Sequence, residues 1–198
     1  MSTATATLAP EKADWSLPSK GRVGMVCLII AESTIFAIFV VAYLYYLGRD
    51  VSGPIPRQVL TLPILNTICL LSSSATITFA IRALVKGDTR RFGCWWLATI
   101  ALGGYFLFGT GVEWKHLIQD QGLTIKTNLF GTTFYSLVGL HASHVVVGLL
   151  ALLIVMGLTL AGAVKREHAE RSEVLALYWH FVDVVWIVVF TVVYVIGR

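Results

Sequence analysis

Five long stretches of this chain keep Lys and Arg out of their interiors, at about Val23–Leu47, Val59–Leu84, Phe92–Val112, Leu129–Val164 and Val174–Ile196. Each is long enough to cross a hydrocarbon core about 30 Å thick as a helix rising about 1.5 Å per residue. A backbone in lipid finds no water for its polar groups, so all five are predicted to be helical. The connections between them run from 7 to 16 residues, too short for an extramembrane catalytic domain. Composition agrees: 13% of the residues are charged, against about 25% in a soluble domain. A soluble monomer and a disordered chain are excluded. The expected fold is all-α and polytopic, one five-helix transmembrane domain over residues 21–198 behind a mobile tail, residues 1–20. The third helix is expected to be the shortest, and the fourth to be tilted or to project from the bilayer.

Basic residues then report orientation. Lys12, Lys20, Arg22, Arg82, Lys86, Arg90, Arg91, Lys165, Arg166 and Arg171 fall on one side, ten in all, and Arg49, Arg57, Lys115, Lys126 and Arg198 on the other, five in all. The excess predicts a cytoplasmic N-terminus and an outer C-terminus in a bacterial or similar membrane. The basic residues form no long cluster, so nucleic acid is not an expected partner. No cleavable signal is expected, because the N-terminal stretch lacks both a basic start and an apolar core. Cys27, Cys69 and Cys94 are far apart, form no C-x-x-C pair and are expected to be small buried hydrophobes.

Against this background Glu32, His141, His144, His180 and Asp183 are out of place. A charge at bilayer depth costs on the order of 2.5–3.5 kcal/mol even on a lenient scale, so each must be neutral, paired or turned into the bundle. Counted from the helix starts, Glu32 and Asp183 lie nine residues in, His180 six and His141 about twelve. All fall near mid-membrane and could meet in one polar layer. His141 and His144 are three apart, as are His180 and Asp183, a spacing that shares a helix face. Three readings stay open: an interhelical hydrogen-bond clamp of His180 and Asp183 with His141 or His144, ligation of a haem between helices, and proton handling by Glu32, His180 and Asp183. No metal site is expected, because H-x-x-H lacks the acidic residue of a zincin helix and neighbours on one face cannot both serve one haem iron axially.

Other polar residues are not ionisable. Asn66, Thr67, Ser72, Ser73, Ser74, Thr76 and Thr78 load the second helix, and Gly103, Gly104, Gly109 and Gly111 the third. Small and hydroxyl residues let helices approach closely and are expected to mark helix or lipid interfaces. Trp114 is expected in an outer aromatic belt, with Glu113 beside it solvated.

The final helix reads Tyr178-Trp-His-Phe-Val-Asp-Val-Val-Trp186, following Gly139-Leu-His-Ala-Ser-His-Val145 and Gly148. These strings resemble subunit III of the haem-copper respiratory oxidases. The resemblance extends to Leu65-Asn-Thr, to Leu70-Leu-Ser-Ser-Ser74, to Glu113-Trp114, and to Ala31-Glu32 with Phe36 and Phe39, covering about Gly21 to Gly197. This chain has Val138-Gly-Leu-His-Ala142 where the family often has Thr-Gly-Phe-His-Gly, and five helices where the long form has seven.

The resemblance implies a non-catalytic subunit of a proton-pumping terminal oxidase that reduces oxygen to water. It would pack on subunit I, with subunit II and a small subunit IV nearby, and support stability and proton uptake. Haems and copper would lie in those partners and none in this chain, whose five histidines fall short of the six ligands that a catalytic subunit of the family takes. Structural phospholipid is a candidate ligand, and Trp179 and Trp186 belong with Asn66, Thr67, Ser72 and Ser73 among the expected lipid or helix-interface residues. Glu32 is expected to be a buried, mostly protonated carboxyl. Subunit III of a quinol oxidase, an accessory protein of nitric oxide reductase and a b-type cytochrome are the alternatives. A proton-coupled transporter would call for inverted symmetry or broken helices, and neither is legible in the sequence.

Overall fold

Residues 19–49 and 53–197 are described by the structure, a computed structural model. Lys12, Arg198 and nearly all of the expected tail lie outside these residues. Helix α1 (Lys20–Tyr46) is followed by a single turn, α2 (Pro56–Val59), then α3 (Ile64–Val85), α4 (Thr89–Gln119) and α5 (Leu129–Leu160). Helix α6 (Ala169–Phe190) is entered through a 3-10 turn at Arg166–His168 and continues into a π-helical turn at Thr191–Ile196. Five helices are long and apolar enough to cross a membrane, and the described residues contain no strand. The protein is an all-α, five-helix membrane protein.

Side chains start three of the helices. Ser19 Oγ accepts from the Arg22 amide, Asp88 from the Arg91 amide at 3.0 Å, and Asn128 Oδ1 from the Gly131 amide at 2.7 Å. Each satisfies a donor that the first helical turn leaves without an intrahelical acceptor. Gly87, at φ +82°, closes α3 in the left-handed region that favours glycine. Because Asp88 caps α4 at the next residue, α3 and α4 form a tight antiparallel hairpin and pack on each other more extensively than any other pair.

Helix α6 packs on α1, α3 and α5, while α5 also contacts α4 and α1. The centre is built around Trp179 of α6, which is fully buried against Gly103 of α4 and Gly148 of α5. A Cβ at either glycine would stand 2.8–2.9 Å from the indole ring. Lipid is as apolar as the helices, so association depends on such close packing and on interhelical hydrogen bonds. The outward faces are apolar: Ile30 is 63% exposed, Phe108 70% and Ile154 65%.

Several expected boundaries are corrected. Helix α4 runs 31 residues, well past Val112, and is not the shortest span. Glu113, Lys115 and His116 continue it because hydropathy marks how much of a helix suits lipid, while the helix itself ends only where its backbone turns. Helix α3 starts at Ile64, since Val59 and Leu60 are apolar to bury at the end of α2, at 6% and 2% exposure, and Pro63 stands at the N-cap. Helix α5 stops at Leu160, short of the expected Val164, where Gly162 turns the chain at φ +71°. Cys27 and Cys94 are exposed and Cys69 is partly so, against the expectation of burial. A small thiol suits an apolar exterior as well as an apolar core.

Candidate functional site

On α5, His141 and His144 are three residues apart, which leaves their side chains about 60° apart around the axis. That angle separates their environments. His144 turns to α1, where its Nε2 lies 3.1 Å from Glu32 Oε2. Its Nδ1 lies 2.8 Å from the carbonyl of Leu140, which can only accept, so Nδ1 carries the hydrogen. A neutral His144 therefore needs a protonated Glu32 that donates to Nε2, and an imidazolium pairs with a carboxylate. Either way the two facing atoms share one proton and the pair has no net charge, which removes the penalty of a lone ion in the membrane. The Glu32 and His144 side chains are 23% and 14% exposed.

His141 faces inward and is fully buried. Its ring lies 5.0 Å from that of Trp186, with Phe106 and Phe36 edge-on at 5.8 and 6.4 Å. Neither ring nitrogen has a hydrogen-bond partner among the described residues. Phe36 also packs at 4.9 Å on His144, so one aromatic ring of α1 neighbours both histidines.

His180 and Asp183 find their partner on α3. Ser74 Oγ donates to Asp183 Oδ2 and lies 2.9 Å from His180 Nδ1. Since the single serine hydrogen goes to the carboxylate, His180 Nδ1 must be the donor to Oγ. Asp183 is 3% exposed and its Oδ1 has no partner among the described residues. The expected clamp of His180 and Asp183 on His141 or His144 is thus corrected. The acids and histidines do not join in one cluster, because α6 turns this pair toward α3 while α5 turns its own toward α1 and the aromatic core.

Glu113 is corrected too: both of its carboxylate oxygens accept from Tyr194 Oη, at 3.0 and 3.1 Å. Trp114 packs edge-on against Tyr135 at 5.2 Å and lies over Gly139, within the bundle. Thr67 accepts from Trp186 Nε1 at 3.1 Å, and Ser73 from Trp179 Nε1 at 2.8 Å. Asn66 presses its amide against Gly109, where a Cβ would overlap it. Ser72, by contrast, faces out of the bundle. Gly104 and Gly111 have open space around them and do not serve the close approach expected of them.

Tyr194 was not anticipated, although a signal existed. It lies eleven residues after Asp183, a spacing that an ideal α-helix puts on one face, although the structure places it in the π-helical turn that follows α6. Ser74 was legible only as one hydroxyl among several, since which serine of a run faces a neighbour depends on helix rotation.

The family model described as cytochrome c oxidase subunit III matches residues 18–198. The cytochrome c oxidase subunit 3 of Alkalihalophilus pseudofirmus is 34% identical over 95% of this chain and 92% of its own length. That of Synechocystis sp. is 39% identical over 90% of this chain and 77% of its own. The Bacillus subtilis protein of the same name is 32% identical over 96% and 92%.

Proposed function

The chain belongs to the cytochrome c oxidase subunit III family, and from that premise we propose that it is the non-catalytic subunit of a proton-pumping terminal oxidase, seated on subunit I. Subunit II and a small subunit IV complete the assembly, and the haems and copper lie in those partners. The assembly reduces oxygen to water in a bacterial cytoplasmic membrane, with the N-terminus of this chain on the cytoplasmic side. Its task is to hold subunit I stable and to support proton uptake.

One observation carries the reading. The polar side chains at depth engage one another or the core, while the outward faces are large apolar surfaces on every long helix. Such a body is suited to packing beside other membrane-embedded chains and lipid. A groove of about 670 Å³ between α1 and α6, lined by residues such as Val40, Val41, Val184 and Val188, supports an acyl chain of structural phospholipid as a ligand.

Glu32 and His144 tie α1 to the rest, and Glu32 is the carboxyl proposed to meet the lipid or oxygen route. A hydrophobic carbodiimide, which attacks protonated carboxyls, is expected to label Glu32 in the intact complex. Label confined to the loop acids would sink this role. Asp183→Asn and His180→Ala are expected to weaken assembly or hasten inactivation during turnover. If neither changes with both variants, the supporting role of this site fails. The separated subunit should show no Soret band, and such a band would favour the b-type cytochrome.

A further inference from the structure

His180 lies on the wall of two cavities, the apolar groove between α1 and α6 and a smaller one between α3 and α6, and only the smaller one carries Arg and Glu side chains. This smaller cavity, of about 330 Å³, is lined by Thr78, Arg82, Glu173, Ala176, Leu177 and His180. Its mouth lies at the basic end of the bundle, where Glu173 meets Arg22 of α1 at 3.1 Å. At its inner end stands the half-buried His180 imidazole, and behind that Ser74 and the buried Asp183. Next to Asp183 on α6, Trp179, Val182 and Trp186 are almost wholly buried. Asp183 Oδ1 has no partner among the described residues. The hydrogen-bonded chain therefore has one charged entrance and, among the described residues, no polar continuation beyond Asp183.

We propose that His180, Ser74 and Asp183 form a blind proton store, loaded from the basic surface through this cavity. The transfer balances. A proton from water joins His180 Nε2, the Nδ1 hydrogen passes to Ser74 Oγ, and the serine hydrogen passes to Asp183 Oδ2. His180 ends neutral with its hydrogen on Nε2, Ser74 now donates to Nδ1, and the Asp183 carboxyl donates to Ser74. One proton enters and one is held, with no heavy atom displaced, and the reverse sequence releases it. Arg82 on α3, Glu173 on α6 and Arg22 on α1 are the charged groups toward the mouth. Glu32 on α1 and His144 on α5 engage each other instead, and His141 on α5 faces Trp186. The proposal deepens the support of proton uptake given above and rests on that reading for its use.

Infrared difference spectra of the purified oxidase complex, taken in water and in heavy water as pH is lowered, test it. A protonated-carboxyl band that disappears in Asp183→Asn identifies the stored proton. Its hydrogen–deuterium exchange should slow several-fold in Ser74→Ala, which breaks the chain, and in Ala176→Phe or the milder Thr78→Leu, which fill the cavity. The store is overturned if no Asp183 band forms while the complex stays assembled, or if Ser74→Ala exchanges as fast as the unaltered complex. Unchanged exchange in both cavity variants overturns the entry route. Assembly and turnover lifetime are read separately. A normal store with indifferent turnover defeats the supporting role, and impaired turnover without exchange defeats the store.

Discussion

Trp179 shows how much one side chain can do in a bundle without a hydrophobic drive between its helices. It fills the space that Gly103 and Gly148 leave and donates to Ser73, so three neighbouring helices meet on one indole. Trp179→Phe removes the hydrogen bond and leaves most of the packing, a loss of about 1 kcal/mol. Trp179→Ala also opens a cavity, for which about 3–5 kcal/mol is the range in protein cores. Unfolding of the complex in graded denaturing detergent should rank the two in that order, and Ser73→Ala should resemble the phenylalanine variant. The tryptophan was legible as part of a motif. Its acceptor was not, because Ser72, Ser73 and Ser74 are chemically alike and only the rotation of α3 sends them to the exterior, the indole and the carboxylate respectively.

Among the elements, α4 and α5 carry glycines of two kinds that the sequence does not distinguish. Gly148 lies against Trp179 and Tyr178, whereas nothing stands within 4 Å of a Cβ built on Gly104. Gly148→Val should overpack the core and cost about 1–3 kcal/mol. Gly104→Ala should be neutral or stabilise by up to about 1 kcal/mol, since alanine is the better helix former. Detergent unfolding again separates them, and equal effects would mean that α5 does not approach α6 this closely. Helix number and approximate position followed from apolar length alone. The ends of α3, α4 and α5 did not, because they depend on Pro63, on polar residues that continue a helix beyond its apolar part, and on Gly162.

Across the whole molecule, the distribution of Lys and Arg makes the proposed orientation testable. Lys86, in the α3–α4 turn, and Gln121, after α4, are both exposed and lie at opposite ends of α4. With the three native cysteines replaced, Lys86→Cys and Gln121→Cys should respond oppositely to an impermeant thiol reagent. Intact cells should label only the cysteine at position 121, and broken cells both. Labelling of position 86 in intact cells would reverse the orientation. Basic residues can report sidedness because each must reach water, a requirement that holds whatever the helices contact.

The sequence by itself determined that this chain is a bundle of five membrane-crossing helices with a few ionisable side chains at depth. Hydrocarbon imposes that outcome on any backbone through the need to bond internally. Its motifs also carried the family resemblance. Only the tertiary structure decided that Glu32 belongs with His144, Ser74 with His180 and Asp183, Glu113 with Tyr194, and His141 with an aromatic cage. The physical reason is rotational. Spacing along a helix states which residues share a face, but the faces of α1, α3, α5 and α6 are set against one another by packing of glycine, indole and aliphatic groups, which no local pattern encodes.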